Sequence, residues 1–250
     1  AISHSGTVNA MQAGVPLSTA SYNPAAGMQS FAPPPFGGST FNFGGFNAEL
    51  GSALAMPTAT PPLAFRVFLA FLAHFHLSEF ALTFMFNPRE LGVRSFLVSK
   101  PYVIAMSAAS VEFAVECAWF SDYKRACVAR WFYPGVFACV FGEWLRKRAM
   151  FDAKGAFTHV VQTRRRPTHA LCVDGAYRYV RHPGYLGWFI WVLGTQIALG
   201  NAFAVVAFAV VTWRFFKQRI EAEERYLRDM FPGEYDAYAR RTRTWIPGIK

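Results

Sequence analysis

The 250 residues are 53% hydrophobic and only 16% charged, against about 25% charged in an ordinary soluble chain. A water-soluble domain is a poor fit; the same length suits a bundle of about five apolar helices of about 20 residues each. The net charge of +10 is unevenly spread: residues 1–60 hold no Lys or Arg, and 18 of the 25 basic residues lie from Arg146 to Lys250. These alternate with uncharged apolar runs, which argues against a nucleic-acid partner and for the cytoplasmic side of a lipid bilayer.

Residues 1–60 are rich in Gly, Pro, Ser, Ala and Asn, as in SFAPPPFGGSTFNFGGF, and show no helical or strand period. This composition predicts a disordered low-complexity tail. A first apolar span runs from about Pro61 to Phe86, opened by Pro61 and Pro62 and closed by NPRELG. It carries His74, His76 and Glu79. The two histidines point about 200° apart on a helix, so polar packing between helices suits them better than a shared metal. A second span, about Ser99 to Trp119, places Glu112 and Glu116 on one face, where they must turn inward or reach boundary water. A third runs from about Val128 to Leu145, with Arg146, Lys147 and Arg148 expected to anchor its cytosolic end. Residues 61–148 are thus read as transmembrane helices.

Residues 149–182 form a polar stretch too long for an ordinary connector. From Pro183 to Trp213 no residue is charged. Gly200-Asn201 breaks this run into a hairpin, with arms over about Tyr185–Leu199 and from about Ala202 onward. The second arm continues into WRFFKQRIEAEERYLRDMF and stops at Phe231-Pro232-Gly233. Four cysteines (Cys117, Cys127, Cys139, Cys172) form no C-x-x-C pair, so neither a disulfide framework nor a metal site is expected.

The chemistry-bearing residues cluster in the last hundred positions. Arg181-His182-Pro183-Gly184-Tyr185 lies where a polar loop enters an apolar helix, and the free N–H groups of a helix start suit an anion. His182 could equally be a helix cap or an interface anchor. Gln162, His169 and Tyr177 add hydrogen-bonding groups upstream, although the first two fit an ordinary surface loop as well. Arg219 and Glu223 share a helix face and could form an exposed pair worth a few tenths of a kcal/mol. Glu221 and Glu224 are alternative partners.

Several of these pieces resemble the isoprenylcysteine carboxyl methyltransferase family: FHLSEF, FGEWLRKRAMF, HVVQ, THALCVDGAYRYVRHPGYLGWFIWVLGTQ, WRFFKQRIEAEERYL and EYDAYARRT. The resemblance covers about residues 63–248, and RHPGYLGW with RFFKQRIEAEE is its most specific part. It implies an all-α, polytopic transmembrane bundle with a C-terminal helical hairpin and a cytosolic cofactor-binding segment, residues 149–250 forming the catalytic region. It implies S-adenosyl-L-methionine as methyl donor, prenylated C-terminal cysteine proteins as substrates, and the endoplasmic reticulum membrane as location. Carried over by position, the cofactor set is Gln162, His169, Ala170, Leu171, Cys172, Tyr177, His182, Pro183, Gly184, Tyr185 and Glu223. Arg219 matches the residue that holds the substrate carboxylate. Gly184 stands where Ser is more usual, and Cys172 where Val is. The competing readings are an NADPH-dependent membrane sterol or steroid reductase, a phospholipid amine methyltransferase, and a non-enzymatic channel or scaffold. The HALCVDGAY strip with the Arg219/Glu223 pair favours the methyltransferase over the reductase.

Overall fold

The computed structural model describes residues 58–163 and 170–249. The tail expected over residues 1–60 falls, apart from its last three positions, outside the described residues, as does His169. Five long helices carry the fold: α1 (Pro61–Phe86), α2 (Lys100–Trp119), α3 (Ser121–Ala153), α4 (Pro183–Leu199) and α5 (Ala202–Met230). A short α6 (Glu234–Arg241) follows. Among the described residues the only extended pairing is an isolated bridge between Val180 and Arg243.

Local chemistry sets the helix ends. Proline occupies the first turns of α1, α2 and α4, where its missing N–H costs nothing. Pro88 stops α1, because the residue before a proline is driven out of the helical region. Gly200, left-handed at φ 65°, closes α4, a conformation open to glycine without strain. The hairpin therefore breaks where Gly200-Asn201 places it.

Helix α3 departs from expectation. It begins at Ser121 and runs unbroken through Ala153, across the boundary expected near residue 148. Arg146 and Lys147 do not anchor the helix in water. Their side chains are 5% and 15% exposed and turn inward to Glu79 of α1; only Arg148 is exposed. A carboxylate buried in an apolar helix draws cations to itself because it is costly there unpaired.

Helices α3 and α4 meet along glycines spaced seven apart. A Cβ on Gly142 would lie 2.6 Å from the carbonyl of Gly187, and one on Gly187 2.5 Å from the carbonyl of Gly142. Small residues allow this backbone approach, the usual device of helix pairs in lipid. Phe75 of α1 stacks on Trp191 of α4 at 4.1 Å within a core that includes Phe68, Phe132 and Leu199.

The polar residues of the apolar helices face one another. His76 donates through Nδ1 to the Phe96 carbonyl at 2.6 Å, leaving Nε2 to accept from the Tyr102 hydroxyl at 2.8 Å. Lys124, fully buried, donates to Glu116 at 2.6 Å and to Asn201 at 2.7 Å. Glu112 accepts the N–H groups of Phe203 and Ala204 at the start of α5. Large apolar side chains point outward instead: Leu77, Phe84, Ile104, Phe137 and Phe203 are 62–79% exposed. Such a surface requires an apolar surround. Pro61–Phe86 and Val93–Trp119 are each long and apolar enough to cross a membrane.

Candidate active site

The polar stretch folds back over the end of the bundle where α3 finishes, α4 begins and α5 leaves its apolar part. Asp152 in the last turn of α3 accepts the N–H of Ala176 at 2.7 Å. A Cβ on Gly175, at φ 60°, would lie 2.2 Å from the Asp152 carboxylate, so only glycine lets the strip close on α3. Tyr238 of α6 donates to the Tyr177 carbonyl at 2.7 Å and holds the strip from the other side.

Between these elements lies a cleft with an empty space of about 870 Å³, its open mouth included. Of the residues singled out in the sequence, Gln162, Ala170, Leu171, Cys172, Tyr177, His182, Gly184, Tyr185 and Glu223 line it. Pro183 and Arg219 do not: Pro183 is buried in the first turn of α4, and Arg219 lies outside the lining, hydrogen-bonded to Tyr185. Phe157, Met230, Phe231 and Tyr235 complete the wall with apolar and aromatic surface.

Arg219 and Glu223 are joined through a third group. Arg219 donates from Nε to the Tyr185 hydroxyl at 2.8 Å, and that hydroxyl donates to Glu223 Oε2 at 2.5 Å. The guanidinium lies over the Tyr185 ring and donates again to the His159 carbonyl at 2.6 Å. One end of α4 and two successive turns of α5 therefore converge on a single phenol, and the chain at His159 joins them through Arg219. His182 has no side-chain capping bond; its ring stacks on Tyr185 and meets Glu224 at 3.2 Å.

Glu224 points away from the relay into a second polar set. It accepts from Arg181 Nε at 2.9 Å and from Arg228 at 3.2 Å. Arg181 also donates to the carbonyls of Ala239 and Thr242, and its N–H bonds the Arg243 carbonyl. The C-terminal residues are thereby fastened to the head of α4. Burial alone would raise the Glu224 carboxyl, but the His182 hydrogen bond and the His182 and Arg181 charges outweigh it and hold it at about 2. This arrangement decides among the glutamates of EAEE: Glu223 joins the relay and Glu224 the support.

Of the supporting residues, the sequence marks Arg146 only as a cytosolic anchor and does not mark Asp152 or His159. Glu79, an acid within an apolar span, is the one signal the sequence offers, and its partners lie 67 to 80 positions away. Nothing in the sequence couples Asp152 to Gly175.

A helical bundle with an apolar exterior, ending in a cleft whose Tyr185 and Glu223 are hydrogen-bonded to each other and, through Tyr185, to Arg219, has the build of a membrane enzyme. The comparisons make the class particular. The model of the isoprenylcysteine carboxyl methyltransferase (ICMT) family matches residues 135–229. Protein-S-isoprenylcysteine O-methyltransferase of Xenopus laevis is 38% identical over 212 residues, covering 84% of this chain and 72% of that one. A probable protein-S-isoprenylcysteine O-methyltransferase of Oryza sativa subsp. indica is 41% identical over 187 residues, 74% of this chain and 96% of its own. A solved structure of the eukaryotic intramembrane Ras methyltransferase ICMT matches with a TM-score of 0.73 at 34% identity, covering 82% of this chain and 74% of that one. The chain belongs to the isoprenylcysteine carboxyl methyltransferase family.

Proposed function

We propose that this membrane enzyme is a protein-S-isoprenylcysteine O-methyltransferase, esterifying the C-terminal prenylcysteine carboxylate of lipidated proteins, with S-adenosyl-L-methionine as donor. The observation that carries the reading is the Arg219–Tyr185–Glu223 relay at the edge of the cleft. The alternative reductase and phospholipid amine readings find no support among the relatives.

The cleft suits the donor. Its aromatic and apolar wall, with Leu171, Tyr177 and Phe231, matches a nucleoside, and the Glu223 carboxylate matches a cationic or hydroxyl-bearing group. Gln162, Ala170, Leu171, Cys172, Tyr177, His182, Gly184, Tyr185 and Glu223 are assigned to hold it. His169 and Pro183 belong to the same set by family position. When bound, the donor supplies a methyl group on a sulfonium, which leaves as a neutral thioether once the methyl has moved.

The chain's own task is placement. The α-carboxyl of a C-terminal cysteine has a pKa of about 3.5, so it arrives ionised and needs no general base. Arg219 presents a forked donor to this carboxylate, held by Tyr185 and the His159 carbonyl. Holding nucleophile and methyl carbon about 3–3.5 Å apart removes much of the entropic barrier, and closing the cleft against water strips the carboxylate of its hydration. The guanidinium must not bind so tightly that it blunts the nucleophile, because only interactions favouring the transition state accelerate the step.

The membrane explains the substrate. A prenyl chain lies in hydrocarbon while its carboxylate sits at the surface, and a site at helix ends serves both. We read the five long helices as spans, α5 only over its uncharged part up to Trp213, residues 149–250 as the catalytic region, and the basic end as cytosolic, in the endoplasmic reticulum membrane. Methylation removes one negative charge and strengthens the hold of a singly lipidated protein on anionic lipid. The test is methyl incorporation into a farnesylcysteine analogue by the purified chain, with thermal stabilisation by S-adenosylhomocysteine but not by NADPH. No incorporation, or stabilisation by NADPH alone, refutes the reading.

A further inference from the structure

Glu79 sits in the apolar helix α1 with no side-chain exposure, where an unpaired carboxylate would be costly. Its two oxygens accept four hydrogen bonds from three residues. Arg146 binds both, at 2.7 and 2.8 Å, Lys147 donates at 2.6 Å, and His159 meets Oε2 at 2.9 Å. Glu143 stands next to this set, 4.0 Å from Lys147 and 3.4 Å from His74.

Two of these donors lead to the proposed site. His159 lies in the stretch 156–163 that follows α3, called the strip below, and its carbonyl accepts from Arg219. Arg146 donates from its remaining terminal nitrogen to the Gly184 carbonyl at 3.0 Å, at the head of α4 and one residue from Tyr185. Phe157 seals the join: its ring lies over Arg146, and a Cβ on Gly184 would come within 2.8 Å of it. Asn87, at the end of α1, donates to the Phe157 carbonyl at 2.7 Å. The strip is therefore tied to α1 at two points.

We infer that Glu79 is a positioning residue for methyl transfer: acting through His159 and Arg146, it sets Arg219 and the head of α4 against each other while touching neither reactant. The inference rests on the role proposed for Arg219. A displacement far from the chemistry can cost a large factor in rate, because orientation contributes so much of the acceleration.

The test uses the full chain in detergent or lipid, with Glu79→Gln and His159→Ala. The second keeps Glu79 paired with Arg146 and Lys147, so it folds even if the first does not. Each folded variant should lose about tenfold or more in kcat, with KM for a farnesylcysteine analogue changed less than about threefold. Hydrogen exchange over residues 156–163 should quicken, while residues 121–130 at the other end of α3 keep parental rates. A folded variant with parental kcat, or one whose strip exchanges no faster, overturns the inference. A parent chain that methylates nothing defeats the functional reading instead, and the exchange measurement still decides whether Glu79 holds the strip.

Discussion

Tyr185 accepts a hydrogen bond from Arg219 at 2.8 Å with the same hydroxyl that it gives to Glu223. One oxygen thus fixes the distance between the group proposed to hold the substrate and the group proposed to hold the donor. The phenol ring, stacked on His182 at 5.5 Å and packed on Phe216 at 5.2 Å, cannot swing away without disturbing the start of α4.

Removing that oxygen alone should separate the two halves of the site. Tyr185→Phe keeps the ring and its packing but leaves Arg219 Nε and Glu223 without their shared partner. A lost hydrogen bond to a charged group costs about 1.5–3 kcal/mol of stability, so the melting temperature should drop modestly; a comparable loss in the transition state lowers kcat by about 10- to 100-fold. Parental kcat would mean that the relay does not set the geometry of the reaction.

The two ends of the relay should respond differently. Arg219→Ala should abolish turnover and largely spare S-adenosylhomocysteine binding, whereas Glu223→Ala should weaken that binding first. Arg219→Lys should not restore the parental rate, since a point charge lacks the forked donor geometry. Binding isotherms and initial rates on the same preparations distinguish these outcomes, and near-normal turnover in both alanine variants would contradict the assignment.

Acid should loosen the C-terminal clamp. Glu224 is held at about 2 against an ordinary 4.5, so the folded state favours its ionised form. The stabilisation is fully present above about pH 4.5 and is lost as pH falls towards 2. Melting curves in detergent between pH 6 and pH 3 should show a steeper decline for the parent than for Glu224→Gln, which is less stable at neutral pH and lacks this titration. Parallel curves would refute the clamp.

The glycine seam should tolerate no side chain. Gly142→Val places branched carbons where the Gly187 carbonyl and the Trp191 backbone already lie within 3.0 Å. Overpacking of this kind costs about 1–3 kcal/mol or more, because α3 and α4 must move apart. A lowered melting temperature is expected, accompanied by loss of activity, since the head of α4 carries Tyr185.

At the opposite end of the bundle, Glu116→Ala leaves Lys124 buried beside Asn201 without its counter-charge. Breaking such a pair costs about 3–5 kcal/mol, whereas replacing both members by apolar residues of similar size is close to neutral. Glu116→Ala should therefore be much less stable than the double variant Glu116→Leu with Lys124→Met, as chemical denaturation in detergent would reveal.

Most of the helices are legible along the chain. Apolar runs, prolines at helix starts and Gly200-Asn201 marked α1, α2 and the α4–α5 hairpin to within a few residues, since helix ends depend on local chemistry. The sequence also gathers most of the cleft residues, because they lie in one strip and the helix that follows. Tertiary structure decided what those residues do to one another. Arg146 and Lys147 read as water-facing anchors, but a buried carboxylate 67 and 68 positions earlier draws them inward. Arg219 and Glu223 read as a surface pair, but Tyr185 from another helix comes between them. Both reversals share a cause: the partner of a charge away from water is fixed by which helix packs alongside, and spacing along one helix does not carry that information.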